Sequence, residues 1–391
     1  MVKGDFRMAV LCSNCSGKLI FNPASQKLEC AACGSMFSPE DVSDFNADIH
    51  SKYYDTRVYT CAHCGAEVVT SDTEVSTFCI YCGNPAINFT RISKEYRPDG
   101  LIPFKITKTE ALKRVKEKFL KNPIIPKEVK NKAVPENICG IYVPYWIVNA
   151  RFTQAEYISG DIHFGKYTER KHFQRAGSCN FKNMPIDGSN ILNDKVSMKL
   201  EPFYFEDAKE FDEDYLNGFY SNTSDMTYED LRGSAAERCH ELFSKESFNS
   251  VAADNKMLED SVYWIDIQDN PLYLMLPVWF FTFKYKGEPH TILINGQTGK
   301  VVGTMPWEQK RIYSIFWSIF FLVLTVMTLC FFGITFNLGG LSNLYNMLII
   351  AIILFSTTVF TTGLVGLKKI IKNNRITKSE DIFKFVKKRQ A

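Results

Sequence analysis

Eight cysteines constrain the fold more tightly than anything else in the chain. Cys12-x-x-Cys15 is followed after 14 residues by Cys30-x-x-Cys33, and Cys61-x-x-Cys64 is followed after 14 residues by Cys79-x-x-Cys82. The second set repeats the first 49 residues further on. Four thiolates satisfy a zinc ion tetrahedrally at about 2.3 Å each, and two short knuckles supply them without a large core. The 14-residue gap accommodates a hairpin that brings the two knuckles of a set together. Gly34, Gly65 and Gly83 follow the second cysteine of their knuckles, and Gly17 stands two residues past Cys15; a tight knuckle wants a residue free to take positive φ. The pattern predicts two four-cysteine zinc ribbons and two zinc ions, one held by Cys12, Cys15, Cys30 and Cys33, the other by Cys61, Cys64, Cys79 and Cys82. Four cysteines fill the coordination sphere, so such sites contribute folding free energy rather than hydrolysis.

Competing uses of the thiols fit less well. Disulfides need an oxidising compartment, and no apolar run follows Met1 as in a secretory signal. A thioredoxin-like pair belongs near a βαβ unit, which is not evident here. An iron–sulfur cluster would use the same ligands, and spacing does not separate it from zinc. His63, inside a knuckle, reads as a surface residue.

The second constraint is a block without charge. Residues 312–367 run for 56 positions with no Asp, Glu, Lys or Arg. One bilayer crossing takes about 20 residues, so the block predicts two crossings, 312–335 and 344–367, joined by Asn337-Leu338-Gly339-Gly340-Leu341-Ser342-Asn343. Tyr313, Trp317 and Tyr345 fall near the ends, where aromatic rings favour the headgroup region. Lys310 and Arg311 flank one side and Lys368, Lys369, Lys372 and Arg375 the other, while the loop carries no cation. The positive-inside rule then places both termini in the cytoplasm of a multi-pass cell-membrane protein, with the lipid bilayer as a partner. Beyond it, residues 368–391 carry a net charge of +7, and the tail reads as a short basic interfacial helix or a solvated segment.

Between these features lies a mixed region. Residues 107–120 show a helical pattern of Ala111, Leu112, Val115, Phe119 and Leu120, with Thr109 as the cap and Asn122-Pro123 as the stop. Residues 142–152 and 272–285 are aromatic and β-branched, which predicts strands, with Pro144 and Pro277 at strand starts or edges. Val143-Pro144-Tyr145-Trp146-Ile147-Val148 aligns with Leu276-Pro277-Val278-Trp279-Phe280-Phe281, as a duplication or a chance likeness. Asn295-Gly296-Gln297-Thr298-Gly299 between β-branched runs predicts a hairpin. Trp146 and Trp279, with Tyr145 and Phe280, read as core rather than as a ligand groove.

The expected fold is therefore multidomain: two small four-cysteine zinc ribbons, an α+β cytosolic domain and a C-terminal two-helix transmembrane hairpin. The divisions are ribbon 1 at 1–45, ribbon 2 at 46–95, the α+β domain at 96–307, the hairpin at 308–370 and a basic cytosolic tail at 371–391.

Several stretches carry a family resemblance. They include Thr77-Phe78-Cys79-Ile80-Tyr81-Cys82-Gly83-Asn84-Pro85, Gly140-Ile141-Tyr142-Val143-Pro144-Tyr145-Trp146, Met184-Pro185-Ile186-Asp187-Gly188-Ser189 and Leu276-Pro277-Val278-Trp279. Together they resemble the TFIIB-type zinc-ribbon membrane proteins of Firmicutes, which are sometimes labelled primosomal or replication-helicase-like. The proline usual after the first cysteine of a knuckle is replaced here by Ser13, Ala31, Ala62 and Ile80. The resemblance implies a metal, a membrane location and partners of the band-7 or phage-shock type. It implies no reaction.

Enzyme classes find little footing. A helicase needs a phosphate-binding loop, and the glycines around Lys300 lack its spacing. No zincin helix is present, and no nucleophile stands beside a base in a recognisable setting. Cys239-His240 reads as a packing cysteine beside a surface histidine, and the acidic run 206–214 lacks the spacing of a calcium loop. The ribbon region, residues 1–95, has a net charge of −3, and thiolates holding zinc make it more acidic, which argues against phosphate backbones. The sequence thus reads as a non-enzymatic, membrane-anchored zinc-ribbon scaffold in envelope or membrane-stress homeostasis. Nucleic-acid binding linked to replication or transcription is the alternative reading.

Overall fold

The structure, a computed structural model, describes residues 11–42, 52–70, 79–82, 87–121, 125–189, 192, 194–303, 305–306, 308–337, 356–358 and 360–368. Strands β1 (Leu19–Asn22), β2 (Lys27–Cys30) and β3 (Met36–Phe37) form a small antiparallel sheet that ends at helix α1 (Pro39–Val42). Strands β4 (Tyr53–Cys61), β5 (Glu67–Thr70), β6 (Ile87–Tyr96) and β7 (Gly100–Leu101) follow. After helices α2 (Lys108–Val115) and α3 (Lys127–Asn131) come two long strands, β8 (Ile138–Phe164) and β9 (Tyr167–Asp187). Helix α4 (Asp194–Leu200), strands β10 (Lys209–Glu210) and β11 (Tyr220–Ser221) and helix α5 (Tyr228–Ser250) lead into β12 (Asp254–Tyr285). Strands β13 (Glu288–Asn295) and β14 (Val301–Val302) and helix α6 (Gln309–Asn337) complete the order.

The expected partition into ribbons, a separate α+β domain and a helical hairpin is corrected by this arrangement. The chain is mostly β-sheet. Eleven described strands form one sheet, running β10-β7-β12-β8-β11-β5-β4-β6, with β9 added on β8 and β13 and β14 on β12. The second ribbon is a part of this sheet, because β11 bridges them: Ser221 pairs with Val69 of β5 on one side and with Tyr142 of β8 on the other.

The predicted strands at 142–152 and 272–285 are present and far longer than expected. Their central prolines lie inside β8 and β12, where each meets the end of a neighbouring ladder. The β9 ladder starts at Tyr145↔Asp187, and the carbonyl of Pro144 accepts from the Gly188 amide at 2.8 Å. The β13 ladder starts at Val278↔Asn295, and the carbonyl of Pro277 accepts from the Gly296 amide, also at 2.8 Å. A missing N–H costs least where a neighbouring strand has just ended. The two aligned segments pair with each other: Val143 faces Leu276, its own counterpart in the alignment, in the antiparallel register of a local two-fold.

The rest of β8 alternates. Phe152, Gln154, Glu156 and Ile158 point inward while the residues between them are exposed, as one covered sheet face requires. Helix α5 covers that face, with Leu231, Ala235, Ala236 and Cys239 packing on Val148, Ala150, Phe152 and Met184. A capping box fixes its start, Thr227 accepting from the Asp230 amide and Asp230 from the Thr227 amide. At α2 the cap is Thr107, whose hydroxyl accepts from the Glu110 amide at 3.2 Å, rather than the expected Thr109. The hairpin around Asn295 stands as expected, with Leu293 facing Val302.

The two-helix transmembrane hairpin is a second correction. Among the described residues no helix is long and apolar enough to cross a membrane. Helix α6 itself runs from Gln309 to Asn337. Ser318, Thr325 and Thr328 within it turn their hydroxyls back on carbonyls four residues earlier. Phe316, Trp317 and Phe320 pack on Phe360 of the helical segment 360–368. Lack of charge alone specifies neither helix length nor what covers the apolar side chains. The multi-pass cell-membrane placement and the orientation of the termini lose their support with the hairpin. The connecting loop beyond Asn337, the start of the second predicted crossing and the basic tail 371–391 lie outside the described residues.

Candidate metal centres

The knuckles share one backbone design. The Cys12, Cys30 and Cys61 amides donate to the carbonyls of Gly17, Ser35 and Ala66, five residues on, at 2.8–2.9 Å. Their carbonyls accept from Ser16, Gly34 and Gly65 at 2.7–2.9 Å. Gly34 and Gly65 hold φ of +72° and +73° to close the turn, a conformation that costs a Cβ-bearing residue free energy. Gly17 has a different role: a Cβ there would lie 2.9 Å from the Cys30 sulfur. Gly83 lies outside the described residues.

Each set of four cysteines converges as its spacing predicts. In both groups the four sulfurs lie within 4.8 Å of one another. Cys12 and Cys33 are 3.7 Å apart, Cys15 and Cys30 3.4 Å, Cys61 and Cys82 3.7 Å, and Cys64 and Cys79 3.8 Å. These distances are far from the about 2.05 Å of a disulfide. They match the edge of a tetrahedron with metal–sulfur bonds of about 2.3 Å, which is about 3.8 Å. Either group could therefore hold a metal ion.

Electrostatics at the sulfurs also favours a cation. In the first group the Ser35 hydroxyl and amide pull the Cys33 thiol down to about 6, while the adjoining Cys33 sulfur pushes Cys15 up to about 12. In the second group the Cys64 and Cys82 sulfurs and burial push Cys79 far above the ordinary thiol range. Four crowded sulfurs ionise together only when positive charge sits among them.

The two centres differ in setting. Cys15 and Cys33 are exposed, as are the knuckle tips Ser13, Asn14, Ala31 and Ala32. The small sheet meets the rest of the chain through Phe21, which lies 5.0 Å from the Tyr215 ring and donates its amide to the Asn217 carbonyl at 3.0 Å, and through Gln26, whose Nε2 donates to the Phe104 carbonyl at 2.7 Å; Leu19 and Leu28 join the same buried cluster. The second centre is sunk into the large sheet. Ile80 and Tyr81, at its second knuckle, are fully buried. The Thr282 hydroxyl of β12 donates to the Ile80 carbonyl at 2.6 Å, and the Tyr81 ring packs 5.7 Å from Phe280. His63 is exposed, as the sequence suggests.

Other residues singled out in the sequence lie away from both centres. Cys239 is buried against Met184, and His240 sets Nδ1 3.0 Å from the side-chain Oε1 of Gln154, a partner the sequence did not indicate. The acidic run is tied down in part, by Lys105 on Asp207 at 2.6 Å and Arg97 on Glu213 at 3.7 Å. Trp279, Tyr145 and Phe280 are core, but Trp146 lines a cavity with Tyr96 and Tyr273. Nothing in residue spacing connects those three rings, because the sheet register alone brings them together.

No family model matches the chain. A relative from Bacillus subtilis (strain 168), the uncharacterized protein YdjG, is 29% identical over 324 residues, which is 78% of this chain and 92% of that protein. No solved structure matches.

Proposed function

We propose that this chain is a non-catalytic adaptor in which two zinc ions hold β-hairpin platforms on a large sheet, and that the first platform recruits a partner protein. The observation that carries the reading is the contrast between the two sulfur shells. Both have four cysteines and so offer no ligand position for a water nucleophile. One is buried in the sheet, and the other presents bare knuckle tips to solvent. Four sulfurs at tetrahedral spacing suit zinc or an iron–sulfur cluster, and zinc matches the ribbon geometry. Bound there, the ion would supply folding free energy and fix the shape of the platform. Leu11 and Met36, 50% and 53% exposed beside the first centre, offer the apolar anchors that interfaces bury. The resemblance to TFIIB-type zinc-ribbon proteins points to band-7 or phage-shock proteins as the first partners to try.

The test is co-purification of the tagged chain with such a candidate, comparing wild type with Met36→Asp and with Cys12→Ser/Cys15→Ser. Both variants should lose the partner while retaining the second ion. Undiminished capture by both would remove the platform from the reading. Retention on DNA or RNA that falls steeply with salt would favour the nucleic-acid alternative.

A further inference from the structure

The local two-fold between β8 and β12 places Trp146 and Trp279 in equivalent positions, yet their surroundings differ. Trp279 is enclosed by the chain's own rings, Phe104 at 4.8 Å and Phe219 at 5.8 Å, and donates Nε1–H to the Ile106 carbonyl at 2.9 Å. Trp146 donates Nε1–H to the Ser224 hydroxyl at 2.9 Å and stacks on Tyr273 at 5.0 Å. Where Trp279 has its enclosing rings, Trp146 borders a cavity of about 370 Å³ between β6, β8, β12 and the start of α5. That size falls in the range of small-molecule pockets, roughly 300–1,000 Å³.

The lining selects a ligand class. Tyr96 stacks 6.1 Å from Tyr273, so that three π-systems, Tyr96, Tyr273 and Trp146, line one site. Glu95 adds a carboxylate to the same lining, and among the described residues no hydrogen bond or ion pair engages it. The start of α5 also borders the cavity, but its amides are not open to an anion: Asp230 and Thr227 already cap each other there. Aromatic faces with a nearby carboxylate attract a cation that has an apolar surface, and repel phosphate or carboxylate ligands.

We propose that this cavity binds a methylated ammonium group, carried by a free solute or by a side chain of a partner. Trp146 and Tyr96 supply the cation–π faces, Tyr273, 1% exposed, holds them by stacking on both, and Glu95 supplies the counter-charge. Tyr96 of β6 also stacks on Tyr273 of β12, so occupancy would bear on the strands beside the second metal centre and on the central strands alike.

The experiment is calorimetric titration of the zinc-loaded full chain with choline, with a peptide containing Nε-trimethyl-lysine, and with 3,3-dimethylbutan-1-ol, the neutral isostere of choline. Saturable binding of choline or the peptide is expected, with the alcohol at least about tenfold weaker because it lacks the charge. The stronger of the two cations identifies the source. Glu95→Gln and Tyr96→Ala should each weaken binding at least about fivefold; both residues are partly exposed, and an unchanged zinc content shows that the variants fold. Equal binding of the alcohol, no saturable binding of either cation, or indifference to both substitutions would overturn the proposal. None of these results bears on recruitment by the first platform, which Met36→Asp tests separately.

Discussion

Removing metal from the second centre should loosen the central sheet more than removing it from the first. Cys61→Ser/Cys64→Ser breaks the buried shell, and with it the anchor of the second knuckle. The residues released are Ile80 and Tyr81, exposed by only 1% and 2%. Burial of a large apolar side chain contributes about 1.5–3 kcal/mol. The hydrogen bonds from Thr282 to the Ile80 carbonyl and from Thr291 to the Tyr81 carbonyl, at 2.6 and 3.4 Å, add about 1 kcal/mol each. The coupling is therefore on the order of 5–8 kcal/mol, a large share of the about 5–15 kcal/mol by which a domain is stable. Among the described residues the first centre shares no ladder with the large sheet. Loss of its Phe21 contact and of the Gln26 hydrogen bond to the Phe104 carbonyl should cost the core about 2.5–4 kcal/mol. Denaturant unfolding followed by tryptophan emission reads the difference, because Trp279 is buried in the central sheet. Cys61→Ser/Cys64→Ser should move the tryptophan transition to much lower denaturant, and Cys12→Ser/Cys15→Ser should move it by a smaller amount. Equal shifts, or no shift from the second-centre variant, would refute the claim that the knuckle is part of the sheet's core.

Protein purified under reducing conditions should hold two zinc ions by elemental analysis. Acidification should release them, because protons compete for the thiolates and affinity falls with pH. Gly296→Ala should destabilise the chain by about 1–3 kcal/mol in chemical denaturation, since a Cβ there would lie 2.6 Å from the Phe104 ring and 2.8 Å from Pro277. Thr227→Ala should cost about 1 kcal/mol through loss of the α5 cap, read as a lower thermal midpoint. The Thr227 hydroxyl and then its amide hold the Asp230 carboxyl below its usual range. Stabilisation from this group is thus present above the unfolded-state pKa and lost as pH falls through the lower folded value; amide exchange at the start of α5 should quicken over that window, and Asp230→Asn should abolish the dependence.

What the sequence made legible is what short-range chemistry imposes. Knuckle glycines and cysteines at fixed offsets solve a local geometric problem, and the same is true of Asn295-Gly296 at its turn. The strands around Trp146 and Trp279 are readable from their apolar and aromatic composition alone. The second ribbon's place in the large sheet is different, because it hangs on β11, two residues long, whose pairing with Val69 and Tyr142 no local pattern marks. The outer half of β8 is hidden for a related reason: Gln154 and Glu156 look like solvent-facing residues, but they point under α5, where Ser244 and His240 meet them. The uncharged block misled because composition was asked to report topology.

The aligned Pro-x-Trp segments fall between these cases. The alignment shows that two segments are alike, and only the register shows why: they are cross-strand partners, so each proline meets the end of the strand that flanks its own copy on the outer side. A two-fold of this kind would give matching environments to both tryptophans if the flanking chain were also symmetric. It is not, since Phe104 and Phe219 converge on Trp279 while Phe203 packs on Tyr145 instead of Trp146. The ring cavity beside Trp146 is what that asymmetry leaves, and it explains why a pair of tryptophans with the same local sequence divides into one core residue and one candidate binding residue.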